Sequence, residues 1–180
     1  LLKLLKIKLY MIIRKIKAMR GPNYWSIHRH KLIVMVLDLQ EMEELPSNKI
    51  EGFRERLEEL LPGMYDHRCS VGSPGGFLKR VEEGTWMGHI VEHIALEIQT
   101  LAGMDVGFGR TRGFGEIGVY NVVFAYMEEA VGYYAAKASV RICEALIKAE
   151  DYDLEKDIQE MRELREEVRL GPSTGAIVDE

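Results

Sequence analysis

Two histidines and a glutamate are spaced so that they could bind a metal ion and use it in hydrolysis. His89 and His93 stand four residues apart in an H-x-x-E-H pattern, and residues at i and i+4 are neighbours on one face of an α-helix, with Cβ atoms about 5–6 Å apart. Two imidazoles placed in this way can both reach a zinc ion at about 2.0–2.1 Å. Glu92 falls beside the same face, where it can take the proton of an attacking water as a general base.

The residues around this pattern favour a metal site over an ordinary solvated helix face. Residues 81–109 contain no lysine or arginine but keep five acidic side chains, whereas a solvated face usually carries both charges. One of the acids, Glu97, comes eight residues after His89, which is about 12 Å along a helix. It is therefore too distant to share the ion, although it could orient His93 from outside. The order H-x-x-E-H is the one found in inverzincins, so we predict bound Zn²⁺.

A third zinc ligand must come from another part of the chain. Glu129 is the preferred prediction, with Glu128 beside it, because both lie where a predicted strand gives way to the next long helix. His67 and Cys69, in a loop rich in glycine and serine, are the reserve candidates. The sequence thus predicts the site His89, His93 and Glu129, with Glu92 as the catalytic residue.

Length and composition indicate a single globular domain in a reducing compartment. The chain has 180 residues, of which 47% are hydrophobic and 29% are charged, values that are ordinary for a globular protein. Its two cysteines, Cys69 and Cys143, are far apart and form no C-x-x-C pattern. This argues against a secreted disulfide scaffold or a cysteine-rich zinc ribbon and favours a cytoplasmic location.

The first 37 residues are basic, with nine lysines and arginines and no acidic residue. Leucine and isoleucine are interleaved with these charges, and the longest uncharged run up to Met19 is Leu9–Ile13. This run is far shorter than the ~20 residues that span a bilayer, and no signal-peptide cleavage site follows it. We therefore predict neither a membrane nor a nucleic-acid partner, and we interpret residues 1–10 as an upstream extension, with Met11 as the start.

The predicted elements describe an α+β fold, a small, largely antiparallel sheet packed against helices. Strands are predicted at Lys31–Leu39 and Gly118–Met127, which are rich in β-branched and aromatic residues, and more weakly at Ile12–Arg20. Helices are predicted at Lys49–Leu61, Phe77–Glu83, Thr85–Ala102, Glu129–Ala149 and Asp153–Arg169. Thr85 is expected to cap the helix that carries the H-x-x-E-H pattern. The last helix is charge-dense, with one apolar stripe, and we expect it to dock by that face.

Glycine-rich segments give weaker signals. Gly113–Gly118 matches G-x-G-x-x-G by letter, but a dinucleotide site must follow a strand and open a helix, whereas this segment precedes a strand. No G-x-x-x-x-G-K-[ST] pattern occurs either, so we predict no ATP site in this chain. Residues 107–112 are interpreted as a flexible loop whose Arg110 and Arg112 suit carboxylates, although an ordinary solvated loop fits equally well.

Several long segments together resemble the amino-terminal domain of cyanophycin synthetase. The resemblance runs from about Met11 to the end of the chain and is carried by four segments: Arg20–Leu39, Gly75–Arg112, Gly118–Leu146 and Leu170–Val178. The family polymerises aspartate and arginine into cyanophycin, a poly-aspartate backbone with isopeptide-linked arginines. In full-length members an ATP-grasp module and a Mur-ligase-like module follow this domain. The resemblance divides the chain into a domain at 11–150, a charged helix at 151–169 and a linker at 170–180.

For this domain the resemblance implies that it binds cyanophycin. In some members the H-x-x-E-H helix also forms a metallopeptidase site that clips the polymer into primers, which assigns His89 and His93 as ligands and Glu92 as base. Arg20, Arg110 and Arg112 are the candidates for binding the polymer. One departure is Ala125, where many relatives carry a carboxylate. The alternative to a hydrolase is a non-catalytic module that docks the polymer for neighbouring ligase domains, and the sequence leaves a homo-oligomer open.

Overall fold

Four antiparallel strands form one sheet in a computed structural model that describes residues 8–171. The strands are β1 (Ile12–Arg20), β2 (Lys31–Asp38), β3 (Gly109–Gly113) and β4 (Val119–Ala125), and their spatial order is β1-β2-β4-β3. Three of them lie where the sequence predicts strands. The interpretation of residues 107–112 as a flexible loop is wrong for most of its length, because pairing with β4 makes residues 109–113 an edge strand.

Within residues 8–171, five α-helices accompany the sheet, and all five were predicted. They are α1 (Phe53–Leu60), α2 (Gly76–Glu83), α3 (Met87–Leu101), α4 (Glu129–Lys148) and α5 (Leu154–Leu170). The first is shorter than predicted because Ser47–Lys49 forms a 3-10 turn. Two further 3-10 turns, Pro62–Asp66 and Cys69–Val71, connect α1 to α2. The architecture confirms the α+β prediction.

The helix α3 packs against β3 and β4 of the sheet and against α4 and α5. Its Ile90, Val91 and Ile94 belong to the main core together with Met35 of β2 and Phe124 of β4. Every residue of α3 from Met87 to Gln99 is buried except one, His89, which is half-buried. Polar side chains on α3 are therefore held within the protein, where each needs a partner.

The opposite face of the sheet carries a smaller apolar cluster. Side chains alternate between the faces of a strand, so Leu32 and Val34 of β2 and Val123 and Ala125 of β4 point away from α3. Trp25 packs against this cluster from the connection between β1 and β2. Alternate residues of β2 and β4 therefore lie on the face of the sheet that is turned away from α3.

The charged helix α5 docks by one face, as its apolar stripe predicts. Ile158 and Met161 are buried in the main core, and the buried Asp157 accepts hydrogen bonds from Tyr134 Oη at 2.5 Å and from Arg141 Nη2 at 3.0 Å. None of the helices within residues 8–171 is both long and apolar enough to cross a bilayer. The predicted extension at 1–10 and the linker at 170–180 fall largely outside the described residues.

Candidate metal centre

Three donor atoms converge beside α3, at its half-buried His89. The Nε2 atoms of His89 and His93 are 3.1 Å apart, and Cys69 Sγ lies 3.3 Å from His89 Nε2. All three donors lie within 4.8 Å of one another. A thiolate and two imidazoles suit zinc, and three protein ligands leave one coordination position free, which is the pattern of catalytic zinc sites. The donor set therefore fits the predicted ion.

The helix α2 and the turn before it bring Cys69 to the two histidines. Cys69 has φ 52°, in the left-handed region that non-glycine residues seldom adopt and that often marks a functional position. Phe77 of α2 stacks on the His93 ring, with centroids 3.9 Å apart. The Phe77 ring also meets the His89 ring edge-on, with centroids 5.5 Å apart. Packing between α2 and α3 thus fixes both imidazoles and places the thiol beside them.

The outer nitrogen of each imidazole, Nδ1, also has a hydrogen-bond partner. His89 Nδ1 lies 3.0 Å from Thr85 Oγ1, and His93 Nδ1 lies 2.8 Å from His67 Nδ1. His67 in turn contacts Glu97 Oε2 through Nε2 at 2.6 Å. Such outer partners orient a ligand ring and fix its tautomer, so both Nε2 atoms are left facing Cys69.

This arrangement changes the roles predicted for Thr85 and Glu97. Thr85 does not cap α3, whose N-cap residue is Trp86 without a side-chain cap; its hydroxyl contacts a candidate ligand instead. Glu97 acts on His93 as expected, but through His67. The carboxylate of Glu97 packs against Gly63, where a Cβ would lie 2.8 Å from the Glu97 carboxyl carbon. The glycine therefore makes room for the acid.

Both candidate histidine ligands are held in the neutral form. Burial lowers the pKa of His89 to about 4, and the positive charge of Arg80 acts in the same direction. Burial also lowers the pKa of His93 well below its usual value, with further lowering from His89 and His67. The neutral imidazole is the form that binds a metal ion.

Glu92 is fixed beside the three donors. Its Oε2 accepts a hydrogen bond of 2.6 Å from Thr111 Oγ1 of β3, and its Oε1 lies 3.9 Å from His93 Nε2. Burial raises the pKa of Glu92 to about 7. The Thr111 hydrogen bond and the positive charges of Arg112 and Arg110 act in the opposite direction but are smaller effects. A carboxylate whose pKa lies near the working pH is well suited to accept and return a proton.

Gly109 of β3 lies directly behind this carboxylate. A Cβ at position 109 would come within 2.7 Å of Glu92 Cγ, so the absence of a side chain there lets the acid occupy its place. Sequence reasoning missed both Thr111 and Gly109. The signal available was the alternation of arginine and threonine between two glycines, which is a weak strand pattern.

A cleft of about 1000 Å³ opens over these residues. The turn at 66–70 and residues 105–113 both contribute to its lining. Basic and acidic side chains both line it: Arg68, Arg80, Arg110, Arg112, Asp66 and Asp105. Of the three arginines predicted to bind substrate, two thus lie at the cleft.

Arg20 and Glu129 lie at a different place. The guanidinium of Arg20 bonds to Glu129 Oε2, and the pair lines a second pocket of about 550 Å³ together with Lys31 and Tyr126. Glu129 was the preferred third ligand, but its carboxylate does not join the two histidines. Among the described residues, Cys69 from the reserve candidates completes the cluster instead.

The path of β4 explains why Glu129 does not reach the two histidines. Its last residue, Ala125, accepts a hydrogen bond from Gln99 of α3 at 3.1 Å. Gln99 comes ten residues after His89, about 15 Å further along the helix. Glu129 follows this end of β4, and it therefore starts α4 beyond reach of the histidines. The Ala125 side chain points to the far face of the sheet, so a carboxylate there would not face the donors.

Comparison with known proteins gives a consistent result. A family model described as the cyanophycin synthase-like N-terminal domain matches residues 34–148. Cyanophycin synthetases of Trichormus variabilis and Synechocystis sp. are 57% and 55% identical to the chain over 173 residues. The cyanophycin synthetase of Crocosphaera subtropica is 52% identical over the same length. Each alignment covers 94% of this chain but only 19–20% of the relative, so the chain spans about a fifth of their length.

Proposed function

The chain belongs to the family of cyanophycin synthase-like N-terminal domains, and from this premise we propose that it is a zinc-dependent hydrolase of cyanophycin. In this proposal it cuts the Asp/Arg polymer into shorter chains that serve as primers for further synthesis in the cytoplasm. The observation that carries the proposal is the convergence of Cys69, His89 and His93 with the Glu92 carboxylate 3.9 Å from His93 Nε2.

The residues of the site divide the chemistry of amide hydrolysis between them. Cys69, His89 and His93 would hold Zn²⁺, which supplies the Lewis acidity that polarises the carbonyl and the attacking water. Glu92 takes a proton from the water as its oxygen bonds to the carbonyl carbon, and returns it to the leaving nitrogen as the C–N bond breaks. Thr111 binds Oε2 of Glu92, which leaves Oε1 directed toward the donors.

The charges of the cleft suit a polymer that carries both carboxylates and guanidinium groups. Arg110 and Arg112 can bind carboxylates bidentately, while Asp66 and Asp105, which also line the cleft, can accept hydrogen bonds from guanidinium groups. In the parent enzyme we propose that this domain works beside an ATP-grasp module and a Mur-ligase-like module. Its products would then be available to the ligase modules as acceptors.

The test compares the wild-type chain with Glu92→Gln, which keeps the size of the side chain but removes its basicity. We expect the wild type to contain zinc and to produce new chain ends from cyanophycin. Glu92→Gln should keep its zinc and lose about 10²–10⁴ in cleavage rate, as general bases typically contribute. Glu160→Gln, the same change at an exposed position of α5, is the matched control and should cleave normally.

Two outcomes would contradict the proposal. If the zinc-loaded wild type binds cyanophycin but yields no new ends, the domain is a docking module and not a hydrolase. If Glu92→Gln cleaves as fast as the wild type, Glu92 is not the base.

A further inference from the structure

The free edge of β3 runs along the cleft. Nine consecutive residues, 105–113, line it. They include all five residues of β3, although neighbouring side chains of a strand point to opposite faces. Consecutive residues can all line one cleft when the cleft follows the edge of the strand. In the part of the chain that the structure describes, β3 ends the sheet and pairs with β4 alone.

The hydrogen bonds at the two ends of β3 show which main-chain groups face outward. Ala125 N–H donates to Phe108 O at 2.9 Å, and Phe114 N–H donates to Val119 O at 3.0 Å. In an antiparallel pair, both main-chain groups of a residue point the same way and the direction alternates along the strand. Three residues therefore direct their N–H and C=O groups away from β4: Gly109, Thr111 and Gly113.

This edge is open to an approaching chain. Gly109 and Gly113 have no side chain, and nothing lies within 4 Å of the Cβ position at Gly113. The Thr111 side chain turns inward to Glu92. Its carbonyl accepts a hydrogen bond of 2.9 Å from the exposed Arg112, a contact that a docking chain can displace. An unprotected strand edge is a template for pairing with another extended chain.

We propose that β3 binds the main chain of the substrate as an added strand, an inference that rests on the proposed function. The occupant is an extended chain of amide groups that carries carboxylates. Thr111 lies in the middle of the open edge and contacts Glu92 at 2.6 Å, so an amide paired there lies beside the proposed base. Arg110 and Arg112, on the sheet face opposite to the Thr111 side chain, supply positive charge beside the added strand.

Gly113 offers a clean test. Gly113→Pro removes one outward N–H, a change that edge strands tolerate, whereas Gly113→Ala keeps the N–H and has room for its methyl group. Both changes are placed in the Glu92→Gln chain to prevent turnover, and affinity is measured with short, fluorophore-labelled cyanophycin fragments. We expect the proline variant to bind about 10-fold more weakly, the worth of one good hydrogen bond, and the alanine variant to bind normally.

Amide hydrogen exchange of the Glu92→Gln chain gives a second readout that does not depend on how the proline variant folds. The N–H groups of Thr111 and Gly113 should become protected when the fragments bind. Equal affinity of the two Gly113 variants, lack of this protection, or absence of fragment binding to Glu92→Gln and to the wild type would overturn the inference. Zinc content and cleavage by the wild type report separately on the proposed function, which can stand when the edge inference fails.

Discussion

The candidate metal centre and the Arg20–Glu129 pair are both clusters of polar side chains next to a pocket, but they are built differently. At the metal centre each imidazole has a partner for its outer nitrogen, and most of the groups are buried. The Arg20 side chain is 73% exposed, and that of Glu129 is 34% exposed. An exposed ion pair contributes little to stability, whereas a ligand set fixed by further contacts is already arranged for its ion.

This comparison teaches that residue type alone does not identify a site. Glu129 and Cys69 were both candidates for the same role, and a carboxylate is as acceptable to zinc as a thiolate. The features that separate them are burial and supporting contacts, such as the stacking of Phe77 on His93. Three sets of substitutions test whether the buried, supported cluster binds zinc and the exposed pair does not.

Loss of a proposed ligand should have the largest effect. We expect Cys69→Ala to reduce zinc from one ion per chain to a trace after dialysis, because two imidazoles alone hold the ion weakly. Glu129→Ala removes the carboxylate at the other site and should keep its zinc. Elemental analysis of both purified variants checks this, and a loss of zinc in Glu129→Ala but not in Cys69→Ala would reverse the assignment.

Disturbing the support behind a ligand should have an intermediate effect. Gly63→Ala introduces a methyl group against the Glu97 carboxylate, which we expect to displace Glu97 from His67 and to weaken zinc binding about 10- to 100-fold. Gly107→Ala adds the same methyl group where no atom lies within 4 Å, and it serves as the control. Competition with a chelator gives both affinities. Equal affinities would show that the His67–Glu97 contact does not support the ion.

Breaking the exposed pair should have the smallest effect. Arg20→Ala removes the partner of Glu129 in a solvated setting, where water can replace the lost contact. We expect its melting temperature, zinc content and cleavage rate to match those of the wild type. A marked loss of zinc or cleavage would mean that the second pocket is coupled to the metal centre, and the contrast between the two sites would then be wrong.

The part of the site that the sequence predicts lies within one helix. His89, Glu92 and His93 occupy a single turn and a half of α3, so their spacing alone determines their common face. Cys69 and His67 come 20 and 22 residues before His89, in turns whose position depends on the packing of α2 against α3. No local pattern reports that packing, which is why these two residues could only be reserve candidates.

Two of the differences between the sequence predictions and the structure have a common physical origin in long-range pairing. The segment Gly109–Gly113 has little strand propensity of its own and becomes β3 because β4 lies beside it. Glu129, the preferred third ligand, follows the end of β4 that contacts Gln99 of α3, and no local pattern reports the direction in which β4 runs along that helix. The other three strands and the five helices of the described residues are correctly predicted as elements, but their relative placement is not contained in any one segment.

Gly109 would give the proposed hydrolytic activity a simple route to loss during evolution. One added methyl group at this position would displace Glu92 and would leave the fold, the three donors and the H-x-x-E-H letters unchanged. A survey of genomes that scores hydrolases by the five-letter pattern alone would count such a lineage as active. The residue at position 109 is therefore a better marker of the proposed hydrolytic activity than the pattern itself. It shows whether there is room for the Glu92 side chain in its present position.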